Sequence, residues 1–290
     1  MDVKNRKNLI VVSIILFTII LTSIFNSSDS DIKSFNIGVV QIEGPIMDSK
    51  DSIKNLEEFM NRDDVHGIVL DINSPGGAVV PSQEIYTKVD EISQSNKKPI
   101  VASIRSLGAS GGYYIAIGAD RIIANPGSIV GSIGVIMNFP VAKDLLDKIG
   151  LKFETFKSGK YKDSGSPYRD VTDLDSEYFK NIVFDLHSQF INEVSIQRDI
   201  NIEEVKMLSN GQIFTGNMAY ENNLVDEIGT FEDALNIIKK MSNIDSEIKL
   251  IYPIEDKSYF SLLFDNISIL DFLLKDFYNI PLYIMGGMHD

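Results

Sequence analysis

Cysteine is missing from all 290 residues. That excludes disulfide staples, thiolate catalysis and cysteine-bound metal, and it is compatible with an extracytoplasmic location. Histidine is scarce. His66, His187 and His289 are the full set, and no two are close in sequence, so a His-rich metal site is not expected. Positive charge is in deficit: 27 Lys+Arg stand against 41 Asp+Glu, a formal net charge of −14. Such a chain lacks the basic footprint that binding to a nucleic-acid backbone requires. No internal repeat and no low-complexity tract is present. What the chain does have is apolar content, 44% of its residues. That is enough for a full core in one large or two modest domains.

The N-terminus carries the strongest localisation signal. Lys4, Arg6 and Lys7 precede an apolar run over residues 9–25, broken only by Ser13, Thr18, Thr22 and Ser23. The run is at the short end of a membrane-spanning helix. The charges before it place residues 1–7 in the cytoplasm and the rest of the chain outside. The stretch Thr22-Ser23-Ile24-Phe25-Asn26 lacks the small-x-small pattern of a cleavage site. Residues 8–25 therefore read as an uncleaved signal anchor, followed by a polar linker over 26–35, a globular domain over 36–252 and an apolar tail over 253–290.

Within the globular part, apolar strands alternate with amphipathic helices. Strands are expected at residues 37–42, 67–72, 100–104, 121–124, 132–136, 152–157 and 247–252. Helices are expected at 50–61, 82–95, 141–149, 174–197 and 231–241, from apolar residues at helical spacing. This alternation makes the class α/β. The stretch 258–288 is rich in Phe, Leu and Ile. Asp265, Asp271, Lys275 and Asp276 interrupt it, so a spanning helix is not expected there. A helix packed on the domain or on a neighbouring subunit is the plainer expectation. The end, residues 280–287, is apolar and extended in character.

The chemistry centres on residues 105–116, RSLGASGGYYIA. An apolar strand runs into a turn of small residues, and a helical stretch follows. Ser110 sits at the turn, where Ala109, Gly111 and Gly112 let another backbone approach its hydroxyl. The helix start adds free N–H donors suited to an anion. An N-cap serine would look the same in isolation. A serine nucleophile needs a base. His66, His187 and His289 each fit a structural or solvated role better. That leaves the lysines near 152–170: Lys157, Lys160 and Lys162. A lysine base must lose its charge at working pH, a drop of about three units from about 10.4, or roughly 4 kcal/mol. Only burial or a nearby cation provides that, and spacing alone does not choose among the three. An oxyanion also needs donors. Ser74-Pro75-Gly76-Gly77 follows an apolar strand and leaves its N–H groups accessible.

The combination DINSPGG, SLGASGGYYIA, GSIVGSIGVI and FKSGKYKD resembles signal peptide peptidase A in its short single-domain form. The resemblance runs from about residue 36 to 251. It implies a crotonase/Clp-protease-like superhelix carrying an N-terminal transmembrane helix, and a Ser–Lys serine endopeptidase. It implies Ser110 as nucleophile and Lys162, rather than Lys157 or Lys160, as general base. It implies Gly77 and Gly111 as oxyanion donors and Ser132 as the residue orienting the lysine amine. The substrates it implies are hydrophobic peptides, chiefly signal peptides left in the bilayer. No metal or nucleotide cofactor is implied. Long members fuse two such domains, so a short chain is expected to form a homo-oligomeric ring in which Ser110 of one subunit meets Lys162 of the next. Two other readings compete: a membrane-tethered scaffold of the same fold without catalysis, and a crotonase-like acyl-CoA enzyme. The apolar tail around residues 282–285 resembles the peptides such an enzyme cuts, and is expected to enter a neighbouring substrate groove.

Overall fold

Two nearly unbroken apolar runs set the centre of the fold. VHGIVLDINS forms β2 (Val65–Ser74) and IVASIRSLGA forms β4 (Ile100–Ala109). Strands this apolar are suited to the middle of a parallel sheet, covered on both faces. The computed structural model describes residues 17–18, 35–253 and 281–285. In it β2 pairs in parallel with β1 (Phe35–Glu43) on one side and β4 on the other. Beyond β4 lie β5 (Arg121–Ala124) and β6 (Ile129–Gly131), both parallel to it and paired at different points along its length. β6 continues into an antiparallel edge, β7 (Ile213–Thr215), and β5 into β8 (Glu227–Ile228). β9 (Ile248–Ile251) closes the other edge against β1.

Alternation along the strands divides the core in two. Ile37, Val69, Val101 and Ile123 face one side and meet Ala234, Leu235 and Ile238 of the helix Phe231–Met241. Ile68, Leu70, Ile72, Ile100, Ala102 and Ile104 face the other. There they meet α1 (Lys50–Asn61), α2 (Val79–Ser95), α3 (Gly111–Ala116) and the long helix α5 (Asp173–Arg198), α4 being the short turn Lys143–Lys148. Each fully buried Ile, Leu or Val contributes roughly 1.5–3 kcal/mol through apolar burial. The result is a mixed α/β fold with a mainly parallel sheet between two helical layers.

Two expected strands are absent. Residues 152–157 form no strand. Every one of them is exposed, and no neighbouring strand pairs with them among the described residues. A segment without a partner edge has no ladder to join. Residues 132–136 also fail, because Ser132 takes a left-handed φ of +50° directly after β6 and turns the chain out of the sheet. Only Ile136 returns, to a single bridge with Leu282. The short helices Ile202–Leu208 and Gly216–Glu221 lie below the length at which helical spacing is readable.

Among the described residues no helix is long and apolar enough to cross a membrane. The expected anchor at 8–25 lies outside the described residues apart from positions 17 and 18, as does the stretch 254–280 of the tail.

Candidate active site

The C-terminal ends of β2 and β4 lie side by side, with Ser74 paired to Gly108. β4 ends at Ala109, and Ser110 turns the chain with φ +50° and ψ −114°. A non-glycine residue in this region costs about 1–3 kcal/mol. Its neighbours enforce the conformation. Ser110 N–H donates to the Gly131 carbonyl (2.7 Å), and the Ser110 carbonyl accepts from Tyr114 N–H (2.8 Å). The helix that follows is anchored by buried Tyr113, whose hydroxyl donates to the Leu224 carbonyl at 2.8 Å. The Ser110 side chain is fully buried, and its Oγ has no hydrogen-bond partner among the described residues. Strain and an orphaned hydroxyl thus coincide at one residue.

Opposite Ser110 lies the short strand β3 (Gly76–Ala78). The turn before it is held by Ser74, whose Oγ donates to the Gly44 carbonyl (2.6 Å) and accepts from Gly76 N–H (3.1 Å). One edge of β3 bonds to Ile46: Ile46 N–H to the Gly76 carbonyl (2.9 Å) and Ala78 N–H to the Ile46 carbonyl (2.7 Å). The N–H and carbonyl of Gly77 face the other edge. Glycine is required at both positions. A Cβ on Gly77 would strike the Ile46 backbone, and one on Gly76, already at φ +96°, would press against Gly111 N.

That other edge is occupied by β10 (Leu282–Ile284), antiparallel to β3, with Tyr283 opposite Gly77. Val79 N–H donates to the Pro281 carbonyl (3.3 Å), and Met285 N–H to the Pro75 carbonyl (2.9 Å). Hydrogen-bonded pairs in an antiparallel ladder recur every second residue. Gly77 and Tyr283 are therefore the bonded pair between them, and Gly77 N–H points at the Tyr283 carbonyl. A Cβ on Gly111 would lie 3.1 Å from that same oxygen and 3.1 Å from Gly77 N. Leu282 is held from its other side, by Ile136 N–H to its carbonyl (3.1 Å) and its own N–H to the Ile136 carbonyl (3.0 Å).

The structure thus brings Ser110, Gly77, Gly111 and the Gly131-Ser132 turn together. Ser132 is nearly buried and is fixed by its N–H bond to the Gln212 carbonyl at 2.8 Å. Lys162 is not part of this cluster within one chain. It is exposed, and no hydrogen bond joins it to Ser110 among the described residues. Lys157 is paired with Asp163 at 2.6 Å, and Lys160 lies over the Tyr161 ring at 4.5 Å from its centroid. His66 makes an edge contact with the Phe35 ring, and His187 lies on α5. His289 lies outside the described residues. The sequence singles out Gly76 beside Gly77, and it places the tail at 282–285 in a neighbour's groove; in the structure residues 282–284 lie instead against β3 of their own chain. The apolar character of the tail was the one available signal.

The turn carrying Lys162 is tied to the start of α5 by an ionic cluster. Arg169 bonds Asp163 (2.9 Å) and Asp175 (2.6 Å), Ser164 Oγ donates to Asp175 (2.6 Å), and Thr172 and Asp175 form a reciprocal cap. Arg169, and after it Lys157, hold the Asp163 carboxyl down at about 2. Arg169 first, then Ser164 and Thr172, hold Asp175 well below the usual carboxylate range. Carboxylates lowered in this way stabilise the folded state fully above about pH 4, and the contribution is lost as pH falls through the folded values. Hydrogen exchange and pepsin cleavage are therefore expected to show residues 158–170 loosening between about pH 4 and about pH 2. Arg169→Ala is expected to move that loosening up toward about pH 4. An unchanged acid profile in Arg169→Ala would remove the cluster's role.

Comparison with known proteins agrees with this geometry. The sequence profile of peptidase family S49 matches residues 92–245. A protein of Methanocaldococcus jannaschii named as a protease is 37% identical over 75% of this chain and 70% of its own length. A protein of Enterococcus faecium named as signal peptide peptidase SppA is 36% identical, over 69% of this chain and 58% of its own. Protease 4 of Haemophilus influenzae is 30% identical over 83% of this chain and 40% of its own. The chain belongs to peptidase family S49, with relatives that carry the signal peptide peptidase name.

Proposed function

We propose that this protein is a membrane-anchored serine endopeptidase that degrades remnant signal peptides on the extracytoplasmic side. Residues 36–252 are its protease domain, a crotonase/Clp-like superhelix, and residues 8–25 its anchor. The observation that carries the proposal is the alignment at β3: Tyr283 pairs with Gly77, a Cβ on Gly111 would lie 3.1 Å from the Tyr283 carbonyl oxygen, and the preceding Ser110 has a buried hydroxyl with no partner among the described residues. A backbone donor that faces a peptide carbonyl beside a nucleophile is what acyl transfer requires.

In the proposed mechanism, uncharged Lys162 of a neighbouring copy takes the Ser110 Oγ proton while Oγ attacks the peptide carbonyl. The N–H groups of Gly77 and Gly111 hold the oxyanion. The C–N bond breaks as protonated Lys162 returns the proton to the leaving amine. Water then attacks the ester, again with Lys162 as base, and releases the acid and free Ser110. Ser132 orients the amine. The anchor keeps the site beside the bilayer, where hydrophobic peptides emerge.

A fluorophosphonate probe tests this on the full chain, and on the Tyr283→Ala chain, whose tail has lost its aromatic anchor. The adduct is expected on Ser110, with labelling slowed about 100-fold or more in Lys162→Ala, the scale of a lost general base. No adduct on Ser110 in either chain, or undiminished labelling in Lys162→Ala, would overturn the assignment.

A further inference from the structure

Lys162 comes from a turn whose other residues are tied down on both sides of it. Tyr161, before it, stacks on the Tyr178 ring of α5 (centroids 4.8 Å). Asp163, after it, accepts from Lys157 Nζ (2.6 Å) and from Arg169 Nε (2.9 Å). Ser164 Oγ donates to Asp175 of α5 (2.6 Å). Gly165, at φ +76°, sits so close to the Phe139 ring that a Cβ would strike it, and that ring packs on Phe179 of α5 at 4.1 Å. The Lys162 N–H closes the turn onto the Gly159 carbonyl (3.2 Å). The Lys162 side chain itself is exposed.

One side chain joins most of these contacts. Arg169 grips the Asp163 carboxylate with Nε (2.9 Å) and Nη2 (3.2 Å), and the Asp163 carbonyl with Nη2 (3.0 Å). The same guanidinium reaches Asp175 with Nη1 (2.6 Å) and Nη2 (3.0 Å), and the Asp170 carbonyl with Nη1 (3.0 Å). Asp175 is in turn fixed in the first turn of α5 by its reciprocal bonds with Thr172. A planar fork of five donors can bridge two carboxylates and two carbonyls at once, which a lysine ammonium cannot. The bond to the Asp163 carbonyl pins the main chain one residue from Lys162.

We propose that Arg169 is a positioning residue for Lys162: it clamps the main chain beside the lysine to α5, so that the amine is presented from a rigid turn. The inference rests on the proposed role of Lys162 as base. A general base works only within hydrogen-bond reach of the proton it takes. On a loose surface loop the amine would spread over many positions, and a misplacement of about 1 Å can cost about 100-fold in rate. An isolated exposed ion pair would be too weak to prevent this. Here one guanidinium holds two carboxylates, one of them the buried Asp175, and ends on the backbone itself.

The test is a double-variant cycle on the full-length chain, read by the rate at which a fluorophosphonate labels Ser110. Arg169→Ala is expected to label about 10- to 100-fold more slowly than the unchanged chain. Arg169→Lys, the milder change, is expected to be slow as well, because an ammonium cannot replace the fork. Guanidinium ion at a millimolar, non-denaturing concentration is expected to recover part of the rate in Arg169→Ala. In the Lys162→Ala background neither Arg169→Ala nor guanidinium should change the rate further, because the clamp acts only through the amine. A general loss of folding would instead multiply the two effects, and guanidinium would not relieve it. Unchanged labelling in Arg169→Lys, or equal slowing by Arg169→Ala with and without Lys162, would overturn the inference. Failure of the catalytic reading has its own signature: Lys162→Ala then labels as fast as the unchanged chain, and the clamp loses its purpose with it.

Discussion

Ser110→Ala is expected to abolish peptide hydrolysis, by about 10⁴-fold or more in kcat, as for other nucleophile deletions, without lowering stability. The two halves of this result have separate causes. Activity is lost because alanine has no atom to attack the carbonyl, whatever Gly77 and Gly111 still do for the oxyanion. Stability is kept because the hydroxyl lost is a buried one with no hydrogen-bond partner among the described residues. Removing an unsatisfied buried polar group is neutral or favourable by up to about 1 kcal/mol. The backbone strain at φ +50° stays, since alanine is no more comfortable there than serine. Glycine is, so Ser110→Gly is expected to be the more stable of the two variants. Peptide hydrolysis and thermal denaturation of the three chains check this. Residual activity above about one per cent would be far more than a lost nucleophile leaves, and would point to another one. A large fall in melting temperature would show that the hydroxyl has a structural partner after all.

Such a pairing of strain with an orphaned hydroxyl was only half visible in the sequence. The strands at 67–72 and 100–104 and the helices at 174–197 and 231–241 were legible because continuous apolar runs and helical spacing leave few alternatives. The run RSLGASGGYYIA marked a tight turn with a serine in it, and small neighbours gave the reason. What lay beyond reach was everything set by distant pairing. The stretch 152–157 carries Phe and Thr residues that favour a strand, and lacks a partner among the described residues. The strand 76–78 is three residues long and exists because Ile46 and Tyr283 flank it. The aromatic contacts among Tyr86, Tyr114, Phe190 and Tyr283 join distant positions, and no local spacing connects those. The choice of Lys162 over Lys157 and Lys160 came from resemblance alone. The structure adds that Lys157 is committed to Asp163.

Equimolar mixing of Ser110→Ala with Lys162→Ala protein is expected to restore hydrolysis that neither has alone. Within one chain Ser110 is fully buried and Lys162 is exposed. The segment 143–170 that carries Lys162 shows large apolar side chains to solvent, Leu145, Ile149, Phe153 and Phe156 among them, and Phe184 of α5 is exposed too. Apolar surface on this scale marks an interaction face, and a second copy seated there would bury it. If each site takes serine from one subunit and lysine from the next, random exchange pairs a competent serine with a competent lysine at half of one half of the interfaces. Recovery of about a quarter of wild-type activity follows for a closed symmetric ring. The yield should rise with the time allowed for subunit exchange and vanish if the chains are crosslinked as homomers before mixing. If serine and lysine instead act within one chain, every chain in the mixture lacks one of them, and no exchange can restore turnover.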